Sequence, residues 1–380
     1  MLRPLNTAVC QLQPSGIRRI NMLAARRGDC IPLALGEPDF DTPRAISDEV
    51  VAALDRGETH YPPNNGTREL RSALSSYMEQ QGLAYKPEEI ALTAGATEAI
   101  TVTFLAMLEP GDEVIIPVPA FTLYEASVRL CRGVPVLLDT SRNGFQIDEA
   151  SLRALVTDAT KAIIICTPGN PTGCLLDAAS IDAIAAVAQE FGLYVIADDV
   201  YNRLVYTDGY ERFALRHPEL RDRTVVIDSF SKPWAMTGWR LGWFAADAPV
   251  FAQIAKAHQY TISSVPAFTM SAAIRALKTD PAPMLDIYRA RRDRVLRALD
   301  TMGLSPAVVP QGAFYVFLPV TEVTGIDSQE FCERAIEEAG VGLVPGECFG
   351  TPGFARLSYC VADDALDEGL RRLERFVRGL

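Results

Sequence analysis

Between residues 90 and 246 the sequence alternates short, near-continuous runs of Val, Ile and Leu with stretches of helical period. The apolar runs lie at 90–93, 113–117, 134–138, 162–166, 193–197, 224–228 and 241–246, with helical periods near 97–108, 122–131 and 178–190 between several of them. Strands apolar on both faces belong to a sheet covered on both sides, and strands separated by helices run parallel. The link from Asp228 to Leu241 is too short for a normal parallel crossover, which needs a dozen or more residues and usually a helix. The last strand is therefore expected to run antiparallel to its neighbours. The expected fold class is α/β: a three-layer large domain around a mostly parallel seven-stranded sheet, plus a smaller α+β domain.

The flanks supply the smaller unit. Residues 1–15 carry Pro, Asn and Gln without period and read as an arm, after which Ser15 caps a short helix with Ile17, Ile20 and Leu23 on one face. Thr42 and Pro43 open a helix with a buried stripe of Ile46, Val50 and Leu54. Past residue 249 the pattern becomes two long helices, 249–278 and 283–302, the first interrupted at 263–266. A strand at 313–318, a helix at 328–339, a strand at 354–360 and a helix from Asp364 complete the chain. The expected division is 1–45 as arm and part of the small domain, 46–279 as the large domain, and 280–380 as the C-terminal part of the small domain.

Composition excludes several classes of function. A net charge of −12 argues against nucleic acid or an anionic membrane as partner. Eight scattered cysteines with no CxxC pair, beside three histidines, argue against a disulfide framework or a metal site. No apolar run is long enough to span a bilayer and the N-terminus has no continuous apolar core, so a cytoplasmic setting is expected.

The residues that carry chemistry sit at the ends of the predicted strands. Lys232 lies among Ser, Pro, Trp, Ala and Met, with Arg240 further along the same loop. A lysine desolvated near another cation loses pKa, and a neutral amine attacks a carbonyl. Asp198 and Asp199 end the strand at 193–197, where α/β sheets place their ligands, and Tyr201 follows. Thr93-Ala94-Gly95-Ala96-Thr97-Glu98 joins a strand to a helix through small residues, a turn that lets backbone approach a phosphate. Ser229, Ser231 and Arg240 are further candidates for that anion. Asn170-Pro171-Thr172-Gly173 follows the strand at 162–166, and Arg356 stands in an apolar, aromatic strand where a guanidinium can fork onto a carboxylate. Each motif alone has a bland reading as a turn, a helix cap or a surface charge.

In this order, together with Gly36-Glu37-Pro38-Asp39-Phe40 and Tyr61, the motifs resemble the class I/II pyridoxal-phosphate-dependent aminotransferases of fold-type I over nearly the whole chain. The resemblance implies that Lys232 forms a Schiff base with pyridoxal 5′-phosphate and that Asp198 pairs with the pyridine nitrogen. Tyr201 and Asn170 would hold the ring oxygen, and Phe121 would stack on the ring. Gly95, Ala96, Thr97, Ser229, Ser231 and Arg240 would form the phosphate cup. Gly36, Asn170 and Arg356 would hold the substrate carboxylate. Tyr61 would reach the phosphate of a neighbouring subunit, implying a homodimer with shared active sites. The implied activity is ping-pong transfer of an amino group from an L-amino acid to a 2-oxo acid. A lyase or cyclase using the same cofactor is the alternative, and a regulatory or binding module is a more distant one. Glu347, where many relatives carry a small residue, would favour a cationic amino acid if it faced the pocket.

Overall fold

The computed structural model describes residues 2–380. Seven strands form the main sheet: β1 (Ile90–Thr93), β2 (Glu113–Val118), β3 (Val134–Asp139), β4 (Thr160–Cys166), β5 (Tyr194–Asp198), β6 (Thr224–Ser229) and β7 (Gly242–Ala245). Their order is β1-β7-β6-β5-β4-β2-β3. β7 runs antiparallel to both β1 and β6, while β2 to β6 pair in parallel. The short link after β6 reverses the chain, so the expected antiparallel strand is present and lies inside the sheet rather than at its rim. Every residue of β1, β6 and β7 is buried, the pattern of a sheet covered on both faces.

A second sheet joins β8 (Tyr315–Leu318), β9 (Val344–Pro345) and β10 (Ala355–Ser358) in the order β8-β10-β9, all antiparallel. β9 has only two residues, too short to show alternation, and was not expected from sequence. The N-terminal segment joins this unit through a bridge between Ile31 and Val341 and a bond from Ser358 N to Leu33 O. Ser15 does cap the helix Gly16–Arg27, and Ile20 packs fully buried into the core of the smaller sheet.

The helix Arg44–Asp55 begins after Pro43 as expected, but its stripe is Ile46, Val50 and Ala53. Leu54, expected inside, is 46% exposed because the helix buries a narrower face than the sequence period suggests. The first long helix is broken as expected: Ala248–Ile262 ends at Ser263 in a left-handed conformation, and Ala267–Leu277 starts after Pro266. Among the described residues, no helix is long and apolar enough to cross a membrane.

Candidate active site

A cavity of about 390 Å³ opens where β4, β5 and β6 end, and twelve of the expected site residues line it. They come from segments far apart in sequence: Gly36; Ala96 and Thr97; Phe121; Asn170; Asp198 and Tyr201; Ser229, Ser231, Lys232 and Arg240; Arg356. Gly95 sits behind the wall rather than in it. Tyr61 is 91% exposed and lies outside the cavity of its own chain.

Lys232 follows β6 on the loop that returns as β7. Its Nζ donates to Gly36 O at 2.5 Å and lies 5.8 Å from the ring centre of Tyr201 and 5.6 Å from that of Phe314. The side chain still touches the cavity, yet protein surrounds it. That burial pulls the ammonium down to about 8, with the nearby Arg356 and Arg240 acting in the same direction and Cys360 and Glu37 opposing them. The apolar setting read from the sequence is therefore real, and it produces an amine that loses its proton around pH 8.

Asp198 is the last residue of β5, in register with Cys166 of β4 and Ile227 of β6. Its Oδ2 accepts from Tyr124 Oη at 2.6 Å, whereas Oδ1 has only a long contact from Val200 N at 3.4 Å. Burial raises its pKa to about 6, opposed by Tyr124, Val200 and Lys232. A buried carboxylate in this condition is short of positive charge on the side of Oδ1.

The helix Ala96–Met107 starts at the cavity wall with Gly95 as its cap and no side-chain cap bond. Its first N–H groups and its dipole favour an anion there. Arg240, itself left-handed at φ 54°, donates to Thr237 O at 2.9 Å and to Ala94 O at 3.4 Å, which sets its guanidinium over the same turn. Two glycines permit this approach. A Cβ on Gly95 would lie 2.7 Å from Arg240 Nη2, and one on Gly242 would lie 2.7 Å from Ala96 N. Ser229 and Ser231 complete this side, linked by a bond from Ser231 N to Ser229 Oγ.

Arg356 is 1% exposed in β10. Nη1 donates to Asn170 Oδ1 at 2.8 Å and Nη2 to Ala34 O at 2.7 Å, while buried Nε has no partner. The guanidinium carbon stands 4.5 Å from the ring centre of Tyr315 and 4.9 Å from that of Phe349. A buried cation held only by neutral groups suits an incoming carboxylate. Asn170 thus reaches the site by ordering Arg356.

Two tyrosines escaped the sequence reading. Tyr124 holds Asp198, and Tyr315 shares a 2.8 Å bond between hydroxyls with Tyr201. A signal for Tyr124 existed: it comes three positions after Phe121, where the helix Leu123–Leu130 begins just beyond β2. Tyr315 looked like an ordinary core aromatic. Glu347 is exposed, accepts from Ser328 Oγ at 2.6 Å and is not part of the cavity wall, so the suggested preference for cationic amino acids loses its basis.

The donor set fits pyridoxal phosphate. An amine of depressed pKa, a buried carboxylate short of a cation, a helix N-terminus with an arginine over a glycine turn, and an aromatic wall at Phe121 are the groups that molecule needs. The family model for aminotransferase class I and II matches residues 28–373. The aspartate aminotransferase of Pyrococcus abyssi is 39% identical, with 97% of this chain and 96% of that protein covered. The aromatic-amino-acid aminotransferase 2 of Thermococcus litoralis is 38% identical over 97% and 96%. The structure of aspartate aminotransferase from Thermus thermophilus with maleate superposes with a TM-score of 0.93 at 33% identity, covering 98% of this chain and 100% of that one. The chain belongs to the class I and II aminotransferases. It is a pyridoxal-phosphate-dependent enzyme that acts on an amino acid and a 2-oxo acid, and the lyase or cyclase alternative gains no support from these relatives.

Proposed function

We propose that Lys232 is the nucleophile and proton carrier of this aminotransferase, that Asp198 faces the pyridine nitrogen, and that Arg356 takes the α-carboxylate of the amino acid. The observation that supports this most directly is the meeting, in one cavity, of a lysine with pKa near 8, a buried aspartate and a buried arginine with an unpartnered Nε. Bound there, pyridoxal phosphate supplies an aldehyde for the amino group and a protonated ring that draws electron density from the substrate Cα. Asp198, held by Tyr124, keeps a negative charge where that ring nitrogen needs it. Arg356 and Asn170 fix the carboxylate end, so that the Cα–H bond is presented toward Lys232. Lys232 Nζ, with its proton lost increasingly above about pH 8, takes the proton from Cα. Ala96, Thr97, Ser229, Ser231 and Arg240 would hold the phosphate, Phe121 would pack on the ring, and Tyr201, bonded to Tyr315, would donate to the ring oxygen.

The same reading extends to assembly. Tyr61 lies outside its own cavity and is nearly fully exposed, which supports a homodimer in which it reaches the partner's phosphate. The division at about residues 45 and 279 would make the long helices a hinge between the sheet domain and the smaller unit. The net charge of −12 and eight free cysteines favour a cytoplasmic enzyme. Relatives acting on aspartate and on aromatic amino acids make both candidates for the donor.

Mixing two inactive variants tests site and dimer together. Lys232→Ala and a Tyr61 variant deficient in cofactor binding should each be inactive alone and recover up to about a quarter of wild-type activity after subunit exchange, because one hybrid site then carries neither lesion. Full activity of Lys232→Ala would remove the assignment of the lysine; absence of recovery with exchange demonstrated would remove the shared site.

A further inference from the structure

Among the buried ionisable groups outside the cavity, His258 stands next to the phosphate end of the site. His258 is 0% exposed in the helix Ala248–Ile262. Its Nδ1 lies 2.7 Å from Glu98 Oε1 and its Nε2 2.9 Å from Asn64 O. A backbone carbonyl accepts only, so Nε2 carries a proton toward Asn64 O, and a second proton on Nδ1 would pair with the Glu98 carboxylate. With both protons in place His258 is an imidazolium. Burial works against that charge, but the bonds to Glu98 and Asn64 outweigh it and hold its pKa above the ordinary value.

Both partners of His258 lead to the phosphate end of the site. Glu98 is in the first turn of the helix Ala96–Met107, and its Oε2 accepts from Ala94 N at 2.5 Å. The carbonyl of the same residue, Ala94, accepts from Arg240. The Thr93–Ala96 turn is therefore clamped from both sides, by Glu98 and by Arg240. A carboxylate in a first turn normally stabilises a helix, yet here it competes with a phosphate for the same positive helix end. On the other side, Asn64 belongs to the loop that carries Tyr61, and its Nδ2 donates to Ser263 O at 2.7 Å.

We infer that His258 is a positioning residue for the phosphate cup: it neutralises Glu98 beneath the helix N-terminus and ties the Tyr61 loop to the turn that receives the phosphate. The inference rests on the assignment of that cup to Ala96, Thr97 and Arg240. Its consequence is specific. Losing His258 leaves Glu98 as an uncompensated buried anion close to where a dianion binds, so affinity falls for a phosphorylated ligand and not for the same ligand without phosphate.

The test is equilibrium binding of pyridoxal phosphate and of pyridoxal to the cofactor-free full-length protein, followed by absorbance, in wild type, His258→Gln, Glu98→Gln, the double variant and Arg240→Gln. His258→Gln should lower the ratio of pyridoxal phosphate to pyridoxal affinity on the order of tenfold, the scale of a charge-assisted bond. Adding Glu98→Gln should restore most of that ratio, and Glu98→Gln alone should stay within about twofold of wild type. If His258→Gln weakens both ligands equally, the residue is only structural and the inference fails. It also fails if the ratio does not change, or if the double variant gives no recovery. Should His258→Gln not fold, Glu98→Gln decides alone, because a large drop in its ratio contradicts the role given to the Glu98 charge. Arg240→Gln separates the two levels: if it too leaves the ratio at the wild-type value, the cup itself has been misplaced.

Discussion

Tyr124 Oη donates to Asp198 Oδ2 at 2.6 Å, and both side chains are buried. This bond opposes the rise that burial imposes on the Asp198 pKa, so the tyrosine helps to keep the aspartate ionised. Tyr124→Phe should let that pKa climb further. With cofactor still bound, kcat should fall about tenfold or more, the cost of one bond to a charged acceptor. The acid limb of the kcat/KM profile should also move to higher pH. An unchanged profile would leave Tyr124 as packing.

Asp198 itself exchanges stability for function. Its folded pKa of about 6 lies above the ordinary 3.8, so its contribution to stability is fully present below about pH 3.8 and is lost as pH rises through about 6. At pH 7.5 the cofactor-free protein then holds an ionised buried carboxylate at a cost of roughly 2–3 kcal/mol. Asp198→Asn should stabilise the cofactor-free protein at pH 7.5 by an amount of that order, with the gain shrinking toward pH 5, while weakening pyridoxal phosphate binding. Denaturant titrations at the two pH values check this. A variant less stable at both would contradict it.

Lys232 should react as no surface lysine does. In the cofactor-free protein, its modification by an amine-directed reagent should rise with pH about a midpoint near 8, because deprotonation limits the rate. Peptide mapping by mass spectrometry gives the site-resolved rate. A midpoint above 10 would mean that the lysine is solvated.

Arg356 makes two bonds to fixed acceptors while its Nε has none. Arg356→Lys keeps a charge but loses the planar fork. The kcat/KM for the amino acid should drop on the order of a hundredfold, with most of the effect in KM and the affinity for pyridoxal phosphate close to wild type. A loss confined to cofactor binding would place the arginine elsewhere in the mechanism.

What could be read from sequence followed from local rules. Apolar runs gave the parallel strands, and the short link after Asp228 gave the reversed one, because chain length alone forbids a crossover there. Asp198, Lys232 and Asn170 were visible because each ends or follows a strand, where side chains converge on the end of a sheet. Tyr124, Tyr315 and the Glu98–His258 pair were not, because their significance lies in contacts across 74, 114 and 160 residues. Leu54 was misjudged for a related reason: helical period marks a face, but neighbouring elements decide how wide a face is covered. Glu347, an unusual residue in a loop beside the site, turns outward to Ser328, as an exposed charge would.

The reversed strand has a consequence for how far this scaffold can be altered. Gly242 is paired with Ser229 on one side and Thr93 on the other. One residue therefore fixes the spacing between the two halves of the anion site. Adding or removing one residue in β7 would exchange the faces of Trp243 and Phe244, which pack into different cores. The turn after β6 thus serves as a ruler, and inserted tags or loop grafts belong elsewhere in the chain.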